Sequence, residues 1–561
     1  MENKIEKLLN EVIEKNGYSL NTKVVKSDIE NVDFQCNDTF RLAKEVHKSP
    51  IEIGEKLVED INNLNDFNKY FEEVTFAKPG FINIKVSDEF ICESLRKLKT
   101  SKRLGLEEEH ETIVLDYGGP NIAKPLHVGH LRTAIIGQAI NNLLKFAGNK
   151  TISDVHLGDI GMQMGQVIYG ILNDFPNQKP EDITFDLKYL NKTYPKISGL
   201  CKENEEIKEK CATITKELQD GNQDYQILWK KIKDVSIADI KNIYKFLTVD
   251  FDFWYGESDA YKYFDELTKY LEDKNMLKED DGALIIDVKE ETDKNEMPPF
   301  IYKKSNGAYL YSSSDLATIY QRNKDFHPDE IIYIADSRQE MHFTQVFRAA
   351  KKSEIYNGRL KFVGYGTVNG KDNKPFKTRS GKALKLQDLI DEVKEEFVNL
   401  REENKQMNPE DLDKMKNAII KFADLQNDLD RTYIFDIKKF SEVTGKTGPY
   451  ILYSYLRINK LLTSNSDKLS NKIYNEKDRK LRLKLLEVTN ALKQARNELK
   501  PHYIANYLYD LATNANDFYG ANHLNGLEGK EKEDYLYILS FNNYIIETLL
   551  DIIGIHIPSK M

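Results

Sequence analysis

The sequence is poor in residues that cross-link or break a chain, and it has no long apolar run. Its 561 residues include four cysteines and 15 prolines. No cysteine stands in a CxxC pair or beside a pair of histidines, so neither a disulfide framework nor a structural metal site is predicted. No apolar stretch approaches the roughly 20 residues that span a bilayer, and the first residues lack the apolar core of a signal peptide. We therefore expect a cytoplasmic protein with no membrane partner.

Positive charge is not in excess. Lysine and arginine number 81 against 91 aspartates and glutamates, which gives a formal net charge of −10 at pH 7. This balance argues against indiscriminate nucleic-acid binding, although a local basic face could still bind one RNA. The chain is 40% hydrophobic and 31% charged, as expected of a folded protein, and its length favours several domains.

Hydrophobic periodicity predicts a small α+β domain over residues 1–105, followed by a catalytic-type α/β domain over residues 106–380. The second region has the strand, loop and helix rhythm of a doubly wound, Rossmann-type sheet. A charged helical insertion interrupts it at about 175–280. Its strand candidates are residues 113–115, 285–288, 331–335 and 362–368.

The remainder of the chain is almost wholly helical in pattern. Residues 381–440 predict a connecting helical segment, and residues 441–561 predict an all-α helix bundle. The expected fold class is therefore multidomain α/β: a Rossmann-type domain with a helical insertion, between an N-terminal α+β domain and a C-terminal bundle.

Residues 120–130 form a loop that carries His-Val-Gly-His between a buried strand and a helix start. Unpaired N–H groups and the helix dipole favour anions there, and Gly129 lets a ligand approach the backbone closely. His127 and His130 can both donate to phosphate oxygens. The loop predicts a triphosphate site, although two chance surface histidines are the alternative interpretation of a bare HxGH.

A second cationic loop, Pro-Phe-Lys-Thr-Arg-Ser-Gly-Lys at 375–382, follows the last strand candidate. A leaving pyrophosphate develops charge and requires a mobile cation, which Lys377 or Arg379 could supply. A plain solvated loop is the alternative. Gly366 and Val368, at the end of the same strand, complete the expected ATP site.

The two loops resemble the HIGH and KMSKS signatures of class I aminoacyl-tRNA synthetases. Segments 34–37, 79–83, 220–229, 244–252 and 256–258, together with Ser236, are similar to the arginyl members, and the resemblance covers nearly the whole chain. It implies ATP-dependent formation of arginyl-adenylate, with Mg²⁺ accompanying ATP, and transfer of arginine to the terminal ribose of tRNA(Arg). It also implies a monomer that needs tRNA even for the activation step.

By this resemblance His127, His130 and Lys124 are catalytic, together with Lys377 and Arg379. The second loop departs from the family pattern, because Arg379 stands at the second lysine and Lys377 at the methionine. Which cation contacts the pyrophosphate is therefore left open. Lys124, three residues before His127, is expected to contribute to the same phosphate site.

The expected amino-acid pocket must hold a planar guanidinium that is always charged, so it needs a carboxylate with neutral acceptors or a stacking ring. Tyr311 and Asp315 are four residues apart at a helix start and so share a face. Asp315 as a simple helix N-cap is the alternative. The resemblance adds Asp116, Asn121 and Gln339 to the arginine site.

The RNA-binding residues are implied in the same way. Phe34, Asn37 and Phe81 are expected near the tRNA elbow, and Tyr450, Tyr453, Arg457 and Met561 near the anticodon. Tyrosines at helical spacing are more often core residues than base platforms. The basic run from Lys477 to Lys484 fits a phosphate-contacting face and a solvated helix equally well.

Two rival functions are a small adenylyltransferase with an HxGH loop and a synthetase-like RNA-binding protein without catalysis. The long helical C-terminal region argues against the first. The joint presence of His127, His130, Lys124 and Asp315 argues against the second.

Overall fold

A computed structural model describes residues 1–370, 374, 384–462 and 468–561. These residues form two compact units. The first unit comprises Met1–Leu106, Ser454–Leu492 and Tyr507–Glu547, and the second unit comprises Glu107–Tyr453, Lys493–Asn506 and Thr548–Met561. In the described part of the chain no helix is long and apolar enough to cross a membrane.

The N-terminal part of the first unit is an antiparallel sheet with helices, as predicted for an α+β fold. Its strands pair in the order β1-β2-β4-β3. The elements are α1 (Glu2–Lys15), β1 (Val25–Lys26), β2 (Phe34–Cys36), α2 (Thr39–Val46), α3 (Pro50–Asn62), α4 (Phe67–Tyr70), β3 (Phe71–Ala77), β4 (Phe81–Val86) and α5 (Asp88–Lys99).

The second unit is built on a four-stranded parallel sheet, which confirms the Rossmann-type fold class. The strand order is β11-β10-β5-β6. The elements before the helical insertion are β5 (Thr112–Asp116), α6 (Gly129–Ala147), β6 (Lys150–Asp154) and α7 (Met162–Asp174). The insertion contains α8 (Leu187–Glu203), α9 (Glu205–Gln219), α10 (Gln223–Phe246), α11 (Glu257–Ala260), a 3₁₀ turn (Tyr261–Tyr263) and α12 (Phe264–Asp273).

The prediction that the apolar run at 285–288 belongs to the parallel sheet is wrong. Only residues 285–286 are in a strand, β8, and β8 belongs to a separate antiparallel sheet with β7 and β9. The next elements are β7 (Lys278–Asp280), β8 (Ala283–Ile286), β9 (Phe300–Lys303), α13 (Tyr311–Phe326), β10 (Glu330–Asp336), a 3₁₀ turn (Ser337–Gln339), α14 (Glu340–Lys352), β11 (Arg359–Tyr365) and β12 (Val368–Asn369).

The residues described from 384 onward form helices apart from one two-residue strand. Its elements are α15 (Leu386–Leu400), a 3₁₀ turn (Glu402–Gln406), α16 (Pro409–Leu425), β13 (Tyr433–Ile434), α17 (Ile437–Ser441), α18 (Gly448–Asn459), α19 (Glu476–Leu486), α20 (Val488–Glu498), α21 (His502–Ala521), a 3₁₀ turn (Leu524–Gly526) and α22 (Gly529–Ile552). This confirms the predicted helical C-terminal region.

Three basic side chains of α19 are buried, although the sequence suggested either a phosphate-contacting face or a solvated helix. Arg479 pairs with Asp33 at 2.5 Å and with Asp88 at 2.8 Å. Arg482 pairs with Asp478 at 2.6 Å, and both side chains are fully buried. Buried Lys484 pairs with a glutamate one turn on. These cations serve packing within the first unit, because each has a carboxylate partner there.

Residues 548–561 pack into the second unit around a buried lysine. Lys421 on α16 donates to the Gly554 carbonyl at 2.8 Å and to the Thr248 hydroxyl at 2.5 Å. Gly554 has a φ of +68°, and a Cβ there would lie 2.5 Å from the Lys421 Nζ. A side chain at this position would therefore displace the lysine.

This lysine should make stability depend on pH. Burial lowers its pKa from 10.5 to about 7, so the unfolded chain binds more protons between these values. Stability therefore rises with pH, and we expect a gain of about 1 kcal/mol from Lys421 between pH 7 and pH 8. Urea unfolding followed by tryptophan fluorescence measures it, because Trp229 and Trp254 both lie in the second unit.

In Lys421→Met this pH-dependent gain should vanish. Lys394→Met, on the exposed side of α15, is the control and should keep it. An unchanged pH dependence in Lys421→Met would show that the lysine is not neutralised by folding.

Candidate active site

The HxGH loop connects the carboxyl end of β5 to the first turn of α6. The loop N–H of His127 donates to Nδ1 of His130 at 3.1 Å, and the Gly129 N–H donates to Nδ1 of His127 at 3.0 Å. Because both Nδ1 atoms accept, the proton of each neutral ring lies on Nε2. The two ring centroids are 3.9 Å apart. The pair thus presents two Nε2–H donors beside a helix N-terminus.

Gly129 is required by this arrangement. A Cβ at this position would lie 2.7 Å from Cε1 of His127 and 2.8 Å from its Nδ1. Any larger residue would push the His127 ring out of its hydrogen bond with the backbone.

Both histidines are held in the neutral form. Burial, together with the neighbouring His127 and Lys124, lowers the pKa of His130 to about 3. Partial burial, with Lys124, also lowers the pKa of His127. Near pH 7 the loop therefore offers neutral donors, and its positive charge comes from Lys124, whose Nζ lies 4.5 Å from the ring centre of Tyr194 on α8.

The loop is fixed to its surroundings by backbone hydrogen bonds. The Ala123 N–H donates to the Ser236 hydroxyl on α10 at 2.9 Å. The Ile122 N–H donates to the Gly158 carbonyl at 3.1 Å, and the Gly158 N–H donates to the Pro120 carbonyl at 3.0 Å. Asn121 is exposed and lies on this hydrogen-bonded segment, where its backbone pairs with that of Gly158 after β6.

A buried arginine anchors α6 from behind. Arg132 pairs with Asp424 of α16 at 3.1 Å, and both side chains are at most 1% exposed. It also donates to the Gly366 carbonyl at 2.6 Å, while the Gly366 N–H donates to the Leu429 carbonyl at 2.9 Å. Val368, in β12, is buried. Both backbone polar groups of Gly366 are thus used within the protein.

Asp315 forms a largely enclosed cluster with two histidines, and 15% of its side chain is exposed. His342 Nε2, from α14, is 2.6 Å from Asp315 Oδ2, and His156 Nε2 is 3.5 Å from Oδ1. Burial would raise the pKa of Asp315, but the two histidines outweigh burial and lower it. The carboxylate is therefore ionised and available to a cation.

Tyr311 and Asp315 both contact His342, in keeping with the shared helix face that their four-residue spacing predicts. Tyr311 begins α13, is 62% exposed, and its ring lies 4.7 Å from that of His342. The N-cap of α13 is Leu310. Asp315 lies in the second turn, which excludes the interpretation of this residue as a helix cap.

Asp116, at the end of β5, pairs with an arginine of the protein itself. Arg322 Nη2 is 2.7 Å from Asp116 and 2.9 Å from Asp154. The two aspartates are direct neighbours across β5 and β6, so one guanidinium reaches both. Among the described residues the buried Nη1 of Arg322 has no hydrogen-bond partner.

The remaining predicted residues have simple placements. Gln339 ends the 3₁₀ turn after β10 and is exposed. Lys377 and Arg379 lie outside the described residues. Of the residues expected to contact tRNA, Phe34 is buried, Phe81, Tyr450 and Met561 are half-buried, and Asn37, Tyr453 and Arg457 are exposed.

Four residues around Asp315 were not predicted as site residues from the sequence: His156, Glu257, Arg322 and His342. Glu257 begins α11, and burial raises the pKa of its carboxyl to about 7, with Asp315 also raising it and His156 opposing. Glu257 lies in the segment 256–258, which resembles the arginyl members, so the family resemblance could have identified it. The sequence carries no such signal for the others, because their role follows from long-range contacts. No group of three metal-ligating side chains is formed by the described residues.

The chain was compared with known proteins. It matches the families described as tRNA synthetases class I (R), catalytic domain, over residues 94–437; DALR anticodon binding domain, over 451–561; and arginyl tRNA synthetase N terminal domain, over 1–86. The arginine–tRNA ligase of Alkaliphilus oremlandii is 41% identical, with 99% of both chains covered. That of Agathobacter rectalis is 39% identical, with 94% of both covered.

Solved structures agree with the sequence comparison. The arginyl-tRNA synthetase of Plasmodium falciparum superposes with a TM-score of 0.83 at 25% identity, covering 100% of this chain and 99% of that one. The Thermus thermophilus arginyl-tRNA synthetase has the same fold, with a TM-score of 0.80 at 20% identity and full coverage of both chains. By its full-length similarity and its three matched domains, the chain belongs to the arginyl-tRNA synthetase family of class I.

Proposed function

We propose that the chain activates L-arginine with ATP and transfers it to the terminal ribose of tRNA(Arg), releasing AMP and pyrophosphate. One observation carries the assignment: an ionised carboxylate that is only 15% exposed, Asp315, lies in the same unit as an HxGH loop that presents neutral phosphate donors. Parallel α/β sheets bind ligands at the carboxyl ends of their strands, where Asp116 and Asp154 also lie.

In the activation step, an oxygen of the arginine carboxylate attacks the α-phosphorus of ATP, and the bond to the leaving pyrophosphate breaks. His127 and His130 donate to the α-phosphate oxygens as their charge increases, and Lys124 adds positive charge. Preorganised donors of this kind act most strongly when charge develops in the transition state. We expect ATP to bind as its Mg²⁺ complex, with the ion held by phosphate oxygens.

We assign the cation of the substrate side chain to Asp315, with Tyr311 beside it and Glu257 as a second carboxylate. Asp116, Asn121 and Gln339 are assigned to the rest of the arginine molecule. A planar guanidinium can bridge two carboxylates with parallel hydrogen bonds, whereas an ammonium cannot make that fork. The pocket therefore favours arginine over lysine without a hydrolytic editing site.

Asp315→Asn tests the arginine pocket. Losing one charge-assisted hydrogen bond costs about 1.5 to 3 kcal/mol, so the KM for arginine should rise roughly 10- to 100-fold. The kcat should change only a few-fold, because the phosphate donors are untouched. Arginine-dependent ATP–pyrophosphate exchange in the presence of tRNA measures both constants.

Asp325→Asn is the matched control, since Asp325 is exposed on the same helix. It should leave both constants unchanged. An unaltered KM in Asp315→Asn would remove Asp315 from the substrate site.

The tRNA is expected to contact both units. We assign the elbow contact to residues 1–105 and the anticodon contact to residues 441–561, supported by the matched N-terminal and anticodon-binding families. We further propose a cytoplasmic monomer. Sedimentation velocity of the free protein tests the monomer directly.

A further inference from the structure

His156 occupies a constrained position in the arginine pocket. It follows β6 in a left-handed conformation with a φ of 46°, and its side chain is 13% exposed. The backbone N–H of His156 donates to Asp154 Oδ1 at 3.4 Å, and the same oxygen accepts from the backbone N–H of Tyr255 at 3.2 Å. The backbone thus holds the ring inside the pocket.

Five charged groups interact with the ring, namely Asp116, Asp154, Glu257, Asp315 and Arg322. His342 contacts the same Asp315 carboxylate from α14. Nε2 of His156 lies 3.5 Å from Asp315, which is an ion-pair distance without hydrogen-bond geometry. Among the described residues, neither ring nitrogen has a hydrogen-bond partner. The imidazole is therefore held by charge and not by a fixed hydrogen bond.

We propose that His156 is a placeholder cation: its imidazolium balances Asp116 and Asp315 in the empty pocket and releases one proton to solvent when arginine binds. This inference rests on the assignment of the pocket to arginine. The substrate brings one net positive charge, from its guanidinium, ammonium and carboxylate together. Loss of the imidazole proton then leaves the total charge of the buried pocket unchanged, which avoids an uncompensated buried cation.

The electrostatics of the pocket support this exchange. Burial alone would lower the pKa of His156, but Asp116 and Asp315 outweigh it and raise the pKa to about 10. Once the substrate pairs with Asp116 and Asp315, their attraction for the imidazolium weakens, while burial and Arg322 continue to favour the neutral ring. A neutral ligand of the same shape would neither pair with the carboxylates nor displace the proton. His156 would thus contribute to selection of a cationic substrate.

Proton release on arginine binding is the direct test. Titration calorimetry at pH 8 in buffers of different ionisation enthalpy counts the protons released per arginine bound. At this pH Glu257, whose pKa is about 7, is mostly ionised and contributes little. The free protein should release roughly one proton per arginine, and His156→Gln should release close to none.

A control variant tests whether the proton comes from His156. His327→Gln should leave the count unchanged, because His327 shares the left-handed conformation but is exposed. Proton uptake by the amino group of free arginine is common to all variants and cancels in the differences.

The outcomes are distinguishable. Equal proton release in the unmodified protein and His156→Gln would overturn the placeholder role, as would arginine binding to the unmodified protein without proton release. If the unmodified protein binds no arginine, the assignment of the pocket fails, and the inference fails with it. The count for the unmodified protein decides the question even if His156→Gln does not fold.

Discussion

His130→Ala should slow arginine activation by roughly 10² to 10³-fold while changing arginine affinity little. The Nε2–H of His130 lies at the start of α6 and is fixed in direction, because Nδ1 accepts the His127 N–H at 3.1 Å. Removing one preorganised donor to an oxyanion typically costs about 2.7 to 4 kcal/mol in the transition state. The measurement is the kcat of arginine-dependent ATP–pyrophosphate exchange in the presence of tRNA.

His110→Ala is the control, since His110 is an exposed histidine of the same unit. A loss below tenfold in His130→Ala, or a loss confined to the KM for arginine, would contradict the assigned role.

The same residue makes a prediction about pH. Because burial lowers the pKa of His130 to about 3, the ring is neutral throughout the range above pH 5. The kcat should therefore show no decline from loss of an imidazolium at His130 between pH 6 and pH 8. A decline of kcat with rising pH in that range that disappears in His130→Ala would show that the protonated imidazole of His130 contributes to catalysis.

Arg132→Met should lower the free energy of unfolding of the second unit by about 3 to 5 kcal/mol. Its guanidinium pairs with Asp424, whose side chain is fully buried, and the only other described donor to this carboxylate is the Tyr433 hydroxyl at 2.8 Å. Removing the arginine leaves a buried carboxylate without its charge partner. Urea unfolding followed by the fluorescence of Trp229 and Trp254 reports on this unit.

A double variant separates loss of charge from loss of packing. Arg132→Met with Asp424→Leu should recover much of the lost stability, because apolar replacement of a whole buried pair is often close to neutral. Arg401→Met, at an exposed position, should change little. A loss below about 1 kcal/mol in the single variant would show that Asp424 finds another partner.

Local patterns in the sequence predicted those elements whose signals are local. The apolar run 113–115 and the helical spacing after His127 identified β5 and α6. Strand β6 was not predicted, because Lys150, Thr151, Ser153 and Asp154 make it polar. Ser153 and Asp154 are nevertheless buried, since Asp252 and Arg322 are their partners. The prediction of a strand at 285–288 was correct for residues 285–286. An apolar run does not indicate which strand it will pair with.

The candidate site shows the same division. The shared helix face of Tyr311 and Asp315 could be predicted from their four-residue spacing. Arg322 could not, because its pairing with Asp154 spans 168 residues and depends on the register of β5 and β6. The inward arginines of α19 are a more extreme case, since 446 residues separate Arg479 from Asp33. Burial of a charge is decided by such distant partners and not by its neighbours in sequence.

The central claim is that this protein joins arginine, and no other amino acid, to tRNA. Charging of total tRNA with each labelled amino acid in the presence of ATP and Mg²⁺ tests it most directly. Arginine alone should become acid-precipitable, and Asp315→Asn should need more arginine to reach the same level. Charging with any other amino acid, or no charging with arginine, would contradict the account.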